Sequence, residues 1–165
     1  SPPYLTKPEL VTLMDWKLTH GTFRPSLRAL IAQNAPEAVE RTTREGLALW
    51  PDVKASVKKL SELRGVGPAT ASLILSVGEP DEAPFFSDEV FCWATAEEDM
   101  GGVDWRRKIK YSVAEYLEVV EAVGRMRSRL AGGGEDGLGK EGAGKDGRVS
   151  AVQCEKVAYV LGNGG

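Results

Sequence analysis

Apolar side chains recur at three- and four-residue steps along most of this chain, and nowhere do they alternate with polar ones as a half-buried strand requires. Thr6-Lys7-Pro8-Glu9 has the form of a capping box with proline in the first turn, and Leu10, Val11, Leu13, Met14 and Leu18 follow at helical spacing. A first helix over about Lys7–Thr19 follows. Gly21 breaks it, and Pro25 opens a second helix, with Leu27, Leu30 and Ile31 as its apolar positions, that stops near Asn34. Asn34, Pro36 and Glu37 mark another start, after which Ala38, Val39, Leu47, Leu49 and Trp50 supply a buried stripe up to Pro51. Asp52 caps a helix that sets Val53, Val57 and Leu60 on one face and Lys54, Lys58 and Lys59 on the rest of the cylinder.

Beyond this basic helix, the unbroken small and apolar run Ala69–Val77 suits a fully buried short helix. Ser87 caps a helix through Asp88-Glu89-Val90-Phe91-Cys92-Trp93, and a longer helix runs from about Asp104 or Ser112 to Leu130. Ser150-Ala151-Val152-Gln153 repeats the capping box, and Gly162 stands where a C-terminal glycine would close the last helix. The fold class is therefore all-α. Residues 132–148, with eight glycines between Gly132 and Gly147, read as a flexible loop between a helical core over 1–131 and a C-terminal helix over 149–162 that packs back on it.

Length and an apolar fraction of 42% suit one folding unit, expected to be monomeric. No segment is apolar enough to span a membrane, and the first residues do not resemble a secretory signal, so an intracellular protein without a membrane partner is expected. Cys92 and Cys154 are too few for a disulfide framework, a four-thiolate zinc site or an iron-sulfur cluster. They read as buried thiols. With His20 as the only histidine, a helix-end residue, no metal or other cofactor is expected.

The net charge of −3 is unevenly spread. Between His20 and Arg64 eight Lys or Arg face five acids, whereas Glu79–Asp104 carries nine acids and no Lys or Arg. A polyanion should meet the first block and avoid the second, and the acidic segment 79–104 is itself a candidate face for a protein partner.

The chemistry-bearing motif lies between the basic helix and the apolar one. Gly65-Val66-Gly67 lets the chain turn while leaving its amides uncovered, and Pro68 suits the first turn of the next helix. Exposed amides at a helix N-terminus suit a phosphate oxygen regardless of base sequence, with Arg64, Lys58 and Lys59 near enough to add charge. Leu60, Leu63 and Val66 would anchor the turn in the core. The stretch Leu63-Arg64-Gly65-Val66-Gly67-Pro68-Ala69-Thr70-Ala71, with Asp88 lying 23 residues beyond Gly65 and a proline-containing loop between, resembles the helix-hairpin-helix (HhH-GPD) DNA glycosylase superfamily.

That resemblance covers roughly residues 53–93, with the helix-hairpin-helix over 53–77. It implies double-stranded DNA as partner, Gly65, Val66 and Gly67 as phosphate ligands, and Asp88 as the catalytic aspartate that stabilises an oxocarbenium-like sugar while the base is flipped out. Trp50, Phe85, Phe86 and Trp93 are candidates for a base pocket, although each also suits core packing, as do Trp16 and Phe23. Lyase-competent members carry a lysine where this chain has Ala69, so the resemblance implies a monofunctional N-glycosylase in base excision repair, nuclear if so and otherwise cytoplasmic. The usual Asp-Thr-His is here Asp88-Glu89-Val90, and the iron-sulfur cysteines are absent. A non-catalytic DNA-binding or adaptor protein of the same fold, or a protein-interaction domain that does not bind DNA, fits the same departures. Ser87-Asp88-Glu89 is also what an ordinary capped helix start looks like.

Overall fold

The computed structural model describes residues 2–96, 101–132 and 147–164. Among them are eight helices and no strand: α1 Lys7–His20, α2 Pro25–Ala32, α3 Pro36–Ala48, α4 Val53–Leu60, α5 Pro68–Gly78, α6 Asp88–Ala94, α7 Val113–Gly132 and α8 Ala151–Gly162. Most of the glycine-rich stretch over 132–148 lies outside the described residues. The chain divides into two compact units, 1–74 and 75–165, with the border inside α5. Composition bounds total size and does not reveal such a division.

The helix starts follow from local chemistry. Thr6 and Glu9 complete a reciprocal capping box on α1, and Ser150 and Gln153 do the same on α8. Asp52 accepts the amide of Ala55 at 2.9 Å, and Ser87 accepts that of Val90 at 3.2 Å. Each offsets donors that a helix leaves without partners in its first turn. Asn34 departs from the expected pattern: α3 is capped at Ala35 without a side-chain bond, and the Asn34 side chain is used elsewhere.

In the first unit α1 packs on α2 and α3, and α3 packs on α4. Leu10, Met14, Ile31, Val39, Val57 and Leu60 are almost wholly buried. The α3–α4 approach is close because Gly46 has no side chain: a Cβ there would lie 2.6 Å from Leu60 Cγ and Cδ2. The stripe read for α3 is shorter than expected, since Leu49 is exposed and Trp50 half-buried just beyond the helix end. Leu30 on α2 is likewise exposed. Spacing identifies a face and cannot say how far a neighbour covers it.

In the second unit α6 packs on both α7 and α8. The amides of Ala151 and Val152 donate to the carbonyls of Asp81 (2.9 Å) and Pro80 (3.2 Å), and Arg127 Nε on α7 donates to the Val149 carbonyl at 2.6 Å. These bonds seat the start of α8. Gly162 is the last residue of α8 and not its closing cap, which is Asn163. Space accounts for it, because a Cβ would lie 2.7 Å from Glu89 Cγ and 3.1 Å from the Trp105 ring. Within α5 the run Thr70–Ser76 is buried as the pattern predicts, except that Val77 is exposed.

Phe86, Phe91 and Tyr116 form an aromatic core, with Phe86 centroids 5.8 and 5.7 Å from the other two. Tyr116 is fully buried and donates to the Pro84 carbonyl at 3.0 Å. Burial pushes its phenol well above the ordinary tyrosine range.

Two outcomes follow. Gly46→Ala improves local helix propensity by about 1 kcal/mol, yet forces Leu60 from its rotamer at a cost of about 1–3 kcal/mol. Thermal denaturation should therefore show a lower Tm in the variant, whereas an unchanged or raised Tm would mean that the interface relaxes freely. Because the folded chain retains the Tyr116 proton while the unfolded chain releases it near pH ~10, that residue's stabilising term is complete below this pH and lost above it. Urea titrations should show wild-type stability falling more steeply than that of Tyr116→Phe above about pH 10, and parallel decline would contradict the assignment.

Candidate nucleic-acid interface

The turn between α4 and α5, residues 61–67, is held from below and open above. Leu63 and Val66 are buried beside Leu60, as the sequence suggests. Glu62, Leu63 and Val66 donate their amides to the carbonyls of Lys59, Leu60 and Leu63 at 3.1–3.2 Å, winding the chain tightly. Gly65 has φ +78°, and a Cβ there would lie 3.1 Å from Leu30 Cβ and 3.2 Å from both the Ile31 amide nitrogen and Cγ1. Glycine meets both demands without strain. The turn therefore rests directly on α2.

Asn34 fastens it. The Arg64 amide donates to Asn34 Oδ1 at 2.9 Å, while Asn34 Nδ2 donates to the Arg64 carbonyl at 3.0 Å and to that of Ile31, also at 3.0 Å. A buried side chain thus acts as a backbone surrogate between segments 30 residues apart. Above this clamp the amides of Gly65, Gly67 and Ala69 have no acceptor among the described residues. Gly67 is exposed, and a Cβ placed there would meet nothing within 4 Å. They lie at the N-terminus of an eleven-residue helix, where the dipole favours an anion.

The nearby cations are not equivalent. Lys58 is exposed and has no ion pair among the described residues. Lys59 is held by Glu45 at 2.7 Å and Glu62 at 3.0 Å, which keep its ammonium above the ordinary lysine range. Arg64 is exposed, and its Nη1 donates to the neutral Gln33 Oε1 at 2.9 Å. Lys58 and Arg64 are available to an anion, whereas Lys59 is occupied.

Asp88 belongs to the second unit, as do Phe85, Phe86 and Trp93, while Trp50 belongs to the first. Asp88 is exposed at the first position of α6 under the Ser87 cap. Its Oδ1 accepts from the Tyr111 hydroxyl at 2.5 Å. Tyr111 has φ +56°, and its ring lies 5.7 Å from that of Phe86, so a sparsely populated backbone state delivers the phenol to the carboxylate. Phe85 and Phe86 are buried, Phe86 within the aromatic core, and Trp93 is half-buried. Glu89 points to the end of α8, accepting from Asn163 Nδ2 at 3.2 Å.

Both cysteines are buried. Burial pushes Cys92 up, with the Asp88 and Asp104 charges acting in the same direction and Arg107 against them, and burial likewise raises Cys154. Both shifts disfavour the thiolate form. Among the described residues no group of three or more His, Cys, Asp or Glu could hold a metal ion, and no helix is long and apolar enough to cross a membrane.

Sequence reasoning missed Asn34 and Tyr111. Asn34 carries the signature of a helix start, and its true partner is distant in the chain. No local signal connects Tyr111 to Asp88. Compared with protein-family models, with curated proteins and with solved structures, the chain matches none.

The clamp has a measurable weight. Asn34→Ala leaves the Arg64 amide and carbonyl without their partner and should destabilise the protein by about 1–3 kcal/mol, with faster amide hydrogen exchange at Arg64 and Val66. Unchanged exchange there would show that the turn does not depend on Asn34.

Proposed function

We propose that this protein binds double-stranded DNA by seating a backbone phosphate on the α4–α5 turn, as a divergent helix-hairpin-helix protein of the monofunctional DNA N-glycosylase type. The observation that carries the reading is the turn itself. Three amides without acceptors among the described residues stand at or just before a helix N-terminus, on a backbone fastened by Gly65 and Asn34. A preorganised donor set contributes more than a flexible one because its ordering cost is met on folding. Lys58 and Arg64 add charge that is not already neutralised.

In this reading Asp88 supplies the catalytic charge. With Oδ1 held by Tyr111, Oδ2 remains to face a sugar ring that becomes cationic as the bond to the base breaks, and water then adds to the anomeric carbon. Ala69 stands where a Schiff-base lysine would be needed, so strand cleavage is not part of the activity.

A second reading, a non-catalytic DNA-binding or adaptor protein, is favoured by the setting of Asp88: an exposed first-turn acid beneath a serine cap has a sufficient structural reason to be there.

Gly65→Arg is a poor probe, because φ and the proximity of Ile31 strain any side chain there for reasons unrelated to DNA. Gly67→Glu places a negative group in open space beside the same amides. It should preserve folding and weaken duplex binding at least about tenfold, or roughly 1.4 kcal/mol. Asp88→Asn should keep duplex affinity and lower base release about a hundredfold or more across a panel of damaged and mismatched duplexes. Undiminished binding by Gly67→Glu contradicts the phosphate site. Binding without base release by the wild type supports the non-catalytic reading.

A further inference from the structure

Immediately after the acidic segment the charge reverses: Arg106-Arg107-Lys108-Ile109-Lys110 places four cations in five positions, bracketed by Trp105 and Tyr111. In the structure this run is neither helix nor strand, and it leads into α7 on the unit that carries Asp88. It is fastened along its length. The Arg106 amide donates to Asp104 Oδ1 at 3.0 Å, and that of Arg107 to the Asp104 carbonyl at 3.2 Å. The Arg107 guanidinium lies 4.8 Å above the Phe91 ring and donates to Thr95 Oγ1 at 3.0 Å. Further on, the amides of Lys110 and Ser112 donate to the Glu115 carboxylate at 3.0–3.2 Å, and the Tyr111 hydroxyl is bonded to Asp88.

These tethers orient three of the neighbouring acids toward neutral donors and away from the exposed cations' own side chains, without cancelling their charge. Asp104 and Glu115 receive main-chain amides, and Asp88 receives a phenol. The side chains of Arg106, Lys108 and Lys110 are left exposed, with no hydrogen bond or ion pair among the described residues. Ile109 between the lysines is half-buried, so the two ammonium groups flank an inward-facing residue. Trp105 and Tyr111 are 37% and 36% exposed. The result is a strap held largely by its backbone whose exposed cations have no ion pair among the described residues.

We propose that residues 105–111 are a second nucleic-acid contact, in which Arg106, Lys108 and Lys110 take successive backbone phosphates beside Asp88. The inference rests on the DNA-binding reading above but uses a different set of residues. A linear, tethered row of cations with partly exposed aromatic rings at its ends suits a polyanion that also presents stacking faces. An anionic membrane surface fits less well, because the one aliphatic side chain within the row, Ile109, is half-buried and only the two partly exposed rings at its ends could enter a lipid interface.

The test compares three full-length proteins: wild type, the triple variant Arg106→Gln/Lys108→Gln/Lys110→Gln, and Gly67→Glu. Each is titrated by fluorescence anisotropy with a short duplex and with the same sequence as a single strand, across a salt series. The triple variant should keep the wild-type Tm, because the tethers use main-chain groups and Arg107. Its affinity should fall at least about tenfold, and the slope of log K against log salt should become shallower by roughly two to three, at about 0.9 per duplex phosphate.

Loss of affinity with the shallower slope supports the strap whatever Gly67→Glu does; if Gly67→Glu binds normally, the turn reading fails while the strap stands. A triple variant with wild-type affinity and slope overturns the strap, and loss in Gly67→Glu would then leave the turn reading intact. No binding by the wild type at low salt overturns both. Phosphatidylserine vesicles and polyglutamate are run alongside, and strap-dependent binding to either that equals or exceeds binding to nucleic acid overturns the proposal.

Discussion

The candidate interface depends on one steric constraint, the seating of Gly65 against α2. At that point the backbone takes a positive φ and approaches Ile31 so closely that any side chain would be both strained and crowded. From that contact follow the burial of Leu63 and Val66, the reach of Asn34 to Arg64, and the direction in which α5 leaves the turn. The amides of Gly65, Gly67 and Ala69 have no acceptor among the described residues, while Leu63 and Val66 of the same turn are used for packing.

Electrostatics refine this picture. Net charge is a weak guide here, because pairing removes some cations from service and leaves others. Lys59 and Arg28 are bound to acids at 2.6–3.0 Å, whereas Lys58, Arg106, Lys108 and Lys110 are not paired among the described residues. In the second unit Glu115, Asp88 and Glu89 accept from amides, a phenol and an amide side chain, neutral donors that orient the carboxylates without cancelling their charge. A chain of net charge −3 can therefore present local surfaces of positive sign.

Features fixed by neighbours in sequence were legible in advance. The caps at Thr6, Asp52, Ser87 and Ser150 are local hydrogen bonds, and each appears as its residue pattern implies. The apolar turn residues Leu60, Leu63 and Val66 were legible for the same reason. What was not legible depends on contacts across the chain. Asn34 looks like a helix start and serves a turn 30 residues away. Gly162 looks like a cap and is a packing necessity against Glu89 and Trp105. Leu49 and Val77 fall on apolar spacing that no neighbour covers. Tyr111 reaches Asp88 through an unusual φ that nothing in its sequence context announces, and the basic run beside it was overshadowed by the acids before it.

The most direct measurement is an amide-resolved NMR titration of the ¹⁵N-labelled protein with a short DNA duplex. If the turn holds a phosphate, the amides of Gly65, Gly67 and Ala69 shift downfield and saturate together, and the response weakens as salt rises. If those amides stay in place while the duplex binds through other residues, or if no resonance moves at low salt, the phosphate-binding turn is contradicted.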